Sequence, residues 1–186
     1  MLTTIIQLYM PEFIKKKKLY QLFSLTADAF QSELPELRGF SYGECLAKYA
    51  IFTKNQAESC LQSGQPLEEV KLRLYQNSRA FGQKLRKSLY IKTWEEVVTT
   101  LKVCYKLIGI DFQCDKQNEF IIKQCFFSKY YSGEVCRLIS SVDEGLVAGL
   151  SGDARLCFKE RLSEGGSCCK GYFSRGLENE KSDSSR

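Results

Sequence analysis

The spacing of apolar residues is helical before residue 110 and mixed after it. In the first part, apolar residues recur three and four positions apart over four stretches, and each stretch predicts an amphipathic helix. Two of these helices begin with the sequence of a capping box, Ser41 with Glu44 and Thr93 with Glu96. The four predicted helices run from Lys18 to about Leu34, from Ser41 to Gly64, from Pro66 to Leu89 and from Thr93 to Gly109.

The second half of the chain alternates between strand-like and helical patterns. Residues 110–114 and 119–127 are rich in Ile and Phe and flank a polar turn, which predicts a β-hairpin. Helical spacing returns from Ser132 to Leu150. Residues 154–162 and 167–173 then alternate around a Gly-containing turn, which predicts a second hairpin. The second half is therefore expected to be a ββαββ unit.

The length of 186 residues and the 44% apolar content favour one soluble domain with an ordinary core. We expect this domain over residues 18–173, with a helical part at 18–109 and the ββαββ part at 110–173. Residues 1–17 are expected to be a lead segment. Residues 174–186 are almost free of apolar side chains and are expected to form a disordered tail.

Targeting signals are not apparent in the chain. No stretch approaches the ~20 apolar residues that span a bilayer, and the start lacks the pattern of a signal peptide. A cytoplasmic protein without a membrane partner is therefore expected. The formal charge is +5, with positive residues at 15–18 and 71–92. We assign these clusters to solvated helix faces, because they contain no nucleic-acid-binding motif, and no nucleic-acid partner is expected.

The chain has nine cysteines and no histidine. The absence of imidazole excludes Ser-His and Cys-His nucleophile pairs and His-ligated metal sites, so thiols and carboxylates must carry any chemistry. In a reducing compartment these thiols stay mostly free. No C-x-x-C motif occurs, so no metal or cofactor is expected, although Cys125, Cys136 and Cys168 or Cys169 could still converge on a metal or cluster.

One stripe of the last predicted helix combines three reactive groups. Cys136, Ser140 and Asp143 stand at positions i, i+4 and i+7, so a thiol, a hydroxyl and a carboxylate point in one direction. The alternative is that they only mark the border of an amphipathic helix, with Cys136 as a small apolar residue.

The second hairpin adds two thiols in different surroundings. If its turn is regular, Cys169 faces Glu160 across the ladder and Cys168 faces Arg161 on the other side. A carboxylate neighbour raises the pKa of a thiol, whereas a guanidinium lowers it. A shift of one residue in the register would exchange these partners.

Short motifs in the last third carry a family resemblance. They are Cys125-Phe126-Phe127, Cys136, Asp143-Glu144-Gly145, Gly149-Leu150, Arg161-Leu162 and Gly166-Ser167-Cys168-Cys169. Together they resemble the L-2-amino-thiazoline-4-carboxylic acid hydrolase family and, more distantly, the 4-vinyl reductase domains. The resemblance covers residues 90 to 173, and it departs from the family pattern at Phe126, where a proline is expected.

The resemblance implies an α+β fold in which the N-terminal helices pack on one side of an antiparallel sheet formed by the ββαββ unit. It also implies a small-molecule pocket between helices and sheet, and a reaction that opens an aminothiazoline ring. The implied catalytic residues are Asp143 as base and Cys136 as nucleophile or proton donor, with Cys169 beside them. Arg161 would anchor the substrate carboxylate, and Cys125 and Ser140 complete the substrate-binding set.

Three functions remain open at this point. The first is a thiol-dependent hydrolase of a small heterocycle or amide, without a cofactor. The second is a non-catalytic module that binds a small molecule among the aromatic side chains of residues 105–131. The third is a cysteine-ligated metal or iron–sulfur protein. A homo-oligomer is compatible with each of them.

Overall fold

The computed structural model describes residues 10–64 and 66–175. They form an α+β fold of helices and one four-stranded antiparallel sheet, which confirms the predicted fold class. The helices are α1 (Glu12–Phe30), α2 (Tyr42–Ser63), α3 (Leu67–Ser88), α4 (Trp94–Leu107) and α5 (Gly133–Ser151). The strands are β1 (Ile110–Cys114), β2 (Glu119–Cys125), β3 (Arg155–Glu160) and β4 (Cys169–Ser174). Short 3₁₀ turns at Phe126–Lys129 and Leu162–Glu164 follow β2 and β3.

Both predicted capping boxes are present. At the start of α2, the backbone N–H of Ser41 donates to the Glu44 carboxylate at 2.7 Å. At the start of α4, the backbone N–H of Thr93 donates to the Glu96 carboxylate at 2.9 Å. These contacts satisfy N–H groups that have no partner within the helix, so the starts of both helices are fixed locally.

The first helix differs from its predicted bounds at both ends. It begins at Glu12, directly after Pro11, and Glu12 forms an ion pair of 3.0 Å with Lys16 one turn later. It ends at Phe30, where Gln31 adopts a left-handed conformation with φ of 54°. The predicted lead segment is therefore wrong over residues 12–17, and its residues 1–9 lie outside the described residues.

Helices α3 and α5 run parallel and in close contact through glycines. A Cβ atom at Gly145 would lie 2.2 Å from the carbonyl oxygen of Tyr75, and one at Gly149 would lie 2.2 Å from that of Arg79. Ser78, next to Arg79 on α3, donates to the carbonyl of Val142 at 2.6 Å. Because only glycine allows this approach, α5 is held deep in the molecule with its apolar face covered.

The sheet has the order β1-β2-β4-β3, and all neighbours are antiparallel. One face carries four phenylalanines in mutual contact: Phe112, Phe120, Phe158 and Phe173. Helix α4 covers this face, since Trp94 packs edge-on against Phe173 with ring centroids 5.1 Å apart. The helices thus lie on one side of the sheet.

The register of the second hairpin differs from the prediction by one residue. Phe158 pairs with Gly171 and Glu160 pairs with Lys170, so Lys159 is an extra residue that forms a bulge. A hairpin without the bulge would place Cys169 opposite Glu160 and Cys168 opposite Arg161, which is the pairing expected from sequence. That pairing is wrong because the bulge moves the end of β3 by one position.

Two residues of the predicted tail, Ser174 and Arg175, belong to the described fold. Ser174 still belongs to β4, and the Arg175 guanidinium lies 5.4 Å from the centre of the Trp94 ring. Residues 176–186 of the predicted tail lie outside the described residues. Among the helices at 10–64 and 66–175, none is long and apolar enough to cross a membrane.

Candidate functional site

A cavity of about 820 Å³ lies between α1, α4 and α5. Its wall is mostly apolar, with Leu19 and Leu22 from α1, Val103 from α4, and Ile139 and Leu146 from α5. This volume lies within the range of cavities that hold small organic ligands, roughly 300–1,000 Å³. The fold therefore provides a pocket next to the stripe of reactive side chains on α5.

The structure brings the predicted site residues together at this cavity. Four of the six line its wall, namely Cys125, Cys136, Ser140 and Asp143. The other two, Arg161 and Cys169, do not line the wall and lie directly behind it. The turn after β3 carries Arg161, which contacts Cys136 and Ser140 of α5, and β4 carries Cys169.

Asp143 is the most strongly perturbed carboxyl group at the cavity. Its side chain lines the cavity and is largely surrounded by protein atoms. Burial raises the pKa of Asp143 to about 7, although a hydrogen bond from Tyr105 and the charge of Arg161 act in the opposite direction. A carboxyl group with this pKa exchanges protons readily near neutral pH.

Three buried tyrosines surround the same end of the cavity: Tyr49, Tyr105 and Tyr131. The hydroxyl groups of Tyr131 and Thr53 are 2.5 Å apart, and Tyr105 is hydrogen-bonded to Asp143. Burial raises the pKa of Tyr105 and Tyr131 well above the usual value, so both stay protonated and serve as hydrogen-bond donors.

Arg161 links the helix stripe to the second hairpin. Its guanidinium donates to the Ser140 hydroxyl at 2.7 Å and lies 3.8 Å from the Cys136 sulfur. Its planar group stacks 3.9 Å above the Phe158 ring, and its side chain is only 12% exposed. Arg161 is therefore a fixed positive charge next to the thiol and hydroxyl of α5.

Two of the thiols at the site are protonated at neutral pH. Burial raises the pKa of Cys125 to about 12, against the effect of backbone N–H groups of Phe127 and Ser128. Burial also raises the pKa of Cys169, whose sulfur accepts a hydrogen bond of 3.4 Å from the Leu162 N–H. Arg161 lowers the pKa of Cys169 as a smaller effect, which agrees with the register that places Arg161 beside Cys169.

The nine cysteines all lie in the described ranges, and no disulfide joins any two of them. Within the residues that the structure describes, no three Cys, His, Asp or Glu side chains are placed so that they could hold a metal ion. The convergence of cysteines that a metal or cluster site needs is therefore not seen in this part of the chain.

Sequence reasoning misses two groups of residues at the cavity. The apolar pattern includes Tyr49 and Tyr105 only as members of buried helix faces, yet a buried tyrosine needs a partner for its hydroxyl, and that requirement is a usable signal. Lys15 and Lys18 are predicted on a solvated helix face, but both contribute to the cavity wall. Nothing in the sequence pattern of 15–18 distinguishes them from Lys16 and Lys17 except their helical spacing.

No protein-family model matches this chain, and none of the curated proteins is significantly similar to it. The resemblance to the aminothiazoline carboxylate hydrolases stays a prediction, and the functional argument rests on the cavity and its side chains.

Proposed function

We propose that this protein is a hydrolase of small amides or cyclic amidines, with its reacting centre between Asp143 and Cys136. The observation that supports the proposal is that Cys125, Cys136, Ser140 and Asp143 line a single cavity, with Arg161 in contact with two of them. If each cysteine served only as a small apolar core residue, there would be no reason for Cys125 and Cys136 to line the same cavity beside Asp143.

Asp143 is the candidate general base. In its ionised form it removes a proton from a water molecule, and the oxygen of that water bonds to the amidine or amide carbon. The bond from this carbon to the leaving sulfur or nitrogen then breaks. In a cyclic amidine, the two protons of the water end on the ring nitrogen and on the departing sulfur. Tyr105 holds the Asp143 carboxylate in one orientation during this transfer.

Cys136 is the candidate nucleophile or proton donor. As a nucleophile, its sulfur would bond to the substrate carbon, expel the leaving group and then be released by water. As a donor, it would pass its proton to the leaving sulfur. In both cases the Arg161 guanidinium, 3.8 Å away, would stabilise negative charge on the Cys136 sulfur. Because Arg161 lies behind the wall, we assign it this positioning role in preference to direct contact with a substrate carboxylate.

A non-catalytic binding module is the second candidate. The size and apolar wall of the cavity favour it, since a retained ligand would be held in the same space without any reaction. Under either function we propose a reducing cytoplasmic location, which nine cysteines without a disulfide support.

Turnover measurements test the hydrolase. The full chain is incubated with 2-aminothiazoline-4-carboxylate and with a panel of 4-nitroanilides, and products are followed by mass spectrometry. We expect Asp143→Asn to reduce turnover by on the order of 10²-fold or more. Cys136→Ser should also lose turnover. Cys157→Ser is the matched control, because Cys157 lies on β3 outside the cavity wall.

Mass spectrometry of the protein distinguishes the two roles of Cys136. A substrate-derived mass added to Cys136 during turnover supports the nucleophile. Turnover without such an adduct supports the donor. If no substrate of the panel reacts, or if Asp143→Asn reacts as fast as the unmodified chain, the hydrolase proposal is wrong.

A further inference from the structure

The cavity extends well beyond the reacting groups. Along α4 its wall runs from Glu95 to Leu107, a distance of about 18 Å at the rise of an α-helix, whereas Cys136 and Asp143 span only about 10 Å of α5. An aminothiazoline carboxylate is a single five-membered ring with two small substituents, so it would occupy only the part of this space beside Asp143. The remaining space requires an explanation in terms of the ligand.

We propose, on the basis of the hydrolase function, that the substrate is an amphipathic molecule with a carboxylate-bearing head and an elongated apolar tail that lies between α1 and α4.

The two ends of the cavity differ in chemistry. The end beside the sheet holds the reactive groups of α5 and the tyrosines around Asp143. The other end lies toward the last turns of α3 and the segment after it. There Phe81, Leu85, Leu89 and Ile91 supply apolar side chains, while Ser88, Thr93, Glu95 and Glu96 supply polar ones. Because α3 and α5 are parallel, Phe81 and Leu85 follow Leu146 along the cavity in the direction away from Asp143. A bound molecule would therefore place its apolar part against Phe81 and Leu85, and Glu95 and Glu96 would keep a carboxylate away from this end.

The packing of the helices leaves this space open. Helix α1 packs mainly on α2 and α3, whereas α4 packs mainly on β1 and α5. The gap between α1 and α4 is thus bounded by helix sides and is elongated along both helices. An apolar tail in this gap would remove the half-buried side chains of Leu22 and Val103 from water, which favours binding.

Two lysines indicate the charge of the head. Lys15 and Lys18 lie in the cavity wall on α1, and neither forms an ion pair with another residue of the described ranges. Lys15 lies near Tyr42, whose hydroxyl donates to the carbonyl of Leu107 at the end of α4. Lys15 is therefore level with the end of α4 that carries Tyr105, and the charge of Lys18 acts on Cys104, the residue before Tyr105. A carboxylate on the head of the ligand would complement them.

Binding of a homologous series tests the tail. The probes are butanoate, octanoate and dodecanoate, measured by titration calorimetry with the full chain. We expect affinity to rise roughly threefold to fourfold per added methylene until the tail end is filled, as for the burial of apolar groups. Leu85→Trp should abolish the gain from octanoate to dodecanoate, and Leu85→Ala should preserve or extend it. Leu72→Trp is the control, because Leu72 lies on the same helix and is 53% exposed outside the cavity.

The charge of the head is tested by comparing octanoate with octanol, a neutral molecule of the same chain length. Octanoate should bind more tightly than octanol, and Lys18→Gln should remove most of this difference in affinity. Affinity that is independent of chain length, or equally changed by Leu85→Trp and Leu72→Trp, overturns the inference. Thermal melting shows whether Leu85→Trp is folded, and Leu85→Ala decides the question if it is not.

The experiment separates this inference from the hydrolase proposal. Asp143→Asn should keep the dependence on chain length while it loses turnover. If the series binds as expected but no corresponding amide reacts, the hydrolase fails and the binding module with this ligand class stands. If amides react without preference for chain length, the hydrolase stands and the tail inference fails.

Discussion

At the scale of single residues, the protonation of Asp143 is set by opposing neighbours. Burial favours the neutral acid, whereas the Tyr105 hydroxyl and the Arg161 guanidinium favour the carboxylate, and the pKa of Asp143 is about 7 as a result. A general base must be ionised to accept a proton. The balance of these contacts therefore decides the pH at which the proposed reaction can run.

The first prediction concerns the pH dependence of turnover. The rate should rise with pH through about 7, the pKa of Asp143, and should be level above it, because only the carboxylate acts as a base. The measurement is turnover of one substrate across buffers of constant ionic strength. A rate that falls over the same range would assign the required form to the neutral acid and contradict the role of Asp143 as base.

The second prediction concerns the hydrogen bond from Tyr105. Tyr105→Phe removes a contact that lowers the pKa of Asp143, so the midpoint of the pH profile should move upward. Tyr20→Phe is the matched control, because Tyr20 is 49% exposed on α1 and outside the cavity wall. A loss of rate without a change in midpoint would show that Tyr105 acts only by shaping the cavity.

The residue-scale chemistry is partly predictable from sequence. Helical spacing places Cys136, Ser140 and Asp143 on one stripe, and the structure puts all three in the cavity wall. Spacing along one helix cannot show which residues of other elements face that stripe. For this reason sequence reasoning misses Tyr105 as the partner of Asp143, and it does not predict the contacts of Arg161 with α5.

At the scale of elements, glycines determine how closely α5 approaches α3. Each contact places a helix backbone against the other helix backbone, so a methyl group has no space to enter. Helices α3 and α5 together form one wall of the cavity. The sequence pattern predicts that α5 is a helix with several glycines, but it does not show which helix these glycines contact.

The third prediction concerns this helix contact. Gly149→Ala would place a Cβ atom 2.2 Å from the Arg79 carbonyl oxygen, and we expect it to lower the free energy of unfolding by about 2–3 kcal/mol. Gly43→Ala is the control in α2, where an added Cβ meets nothing within 4 Å. That change should stabilise the protein by about 0.5–1 kcal/mol. Urea unfolding measures both, and equal effects would contradict the tight helix contact.

Strand register is the least predictable property of the elements. The alternation of apolar and polar residues identifies the two strands of the second hairpin. It fixes which residues pair across them only when neither strand contains a bulge. The bulge at Lys159 leaves no compositional sign, since Lys159 is an ordinary exposed strand residue that pairs with Glu119 at 3.1 Å. Capping boxes are predicted correctly because both partners lie within four residues of each other.

At the scale of the whole molecule, the buried carboxyl group couples stability to pH. In the unfolded chain an Asp has a pKa of about 3.9, whereas Asp143 has a pKa of about 7 in the folded state. Between these values the folded state binds more protons than the unfolded state, so stability from this group falls as pH rises. Burial also raises the pKa of Glu144, which acts in the same direction.

The fourth prediction follows for the Asp143→Asn variant. The amide introduced by this change does not titrate, so the variant should gain stability relative to the original chain as pH rises from about 4 to 7, by up to about 4 kcal/mol. Thermal melting of both chains at several pH values measures the difference. The change is expected to be smallest near pH 4, and a constant difference across the range would show that Asp143 is not desolvated in the folded protein.

The extra residue in β3 has a consequence for how this protein tolerates genetic change. Because Lys159 is unpaired in the ladder, its removal would leave Glu160 opposite Lys170 and Arg161 opposite Cys169. Both substitution and deletion of Lys159 should therefore be nearly silent at the α5 thiol, whereas deletion of Lys170 from β4 would place Arg161 opposite Cys168. The hairpin thus tolerates a change in residue number on one strand and not on the other.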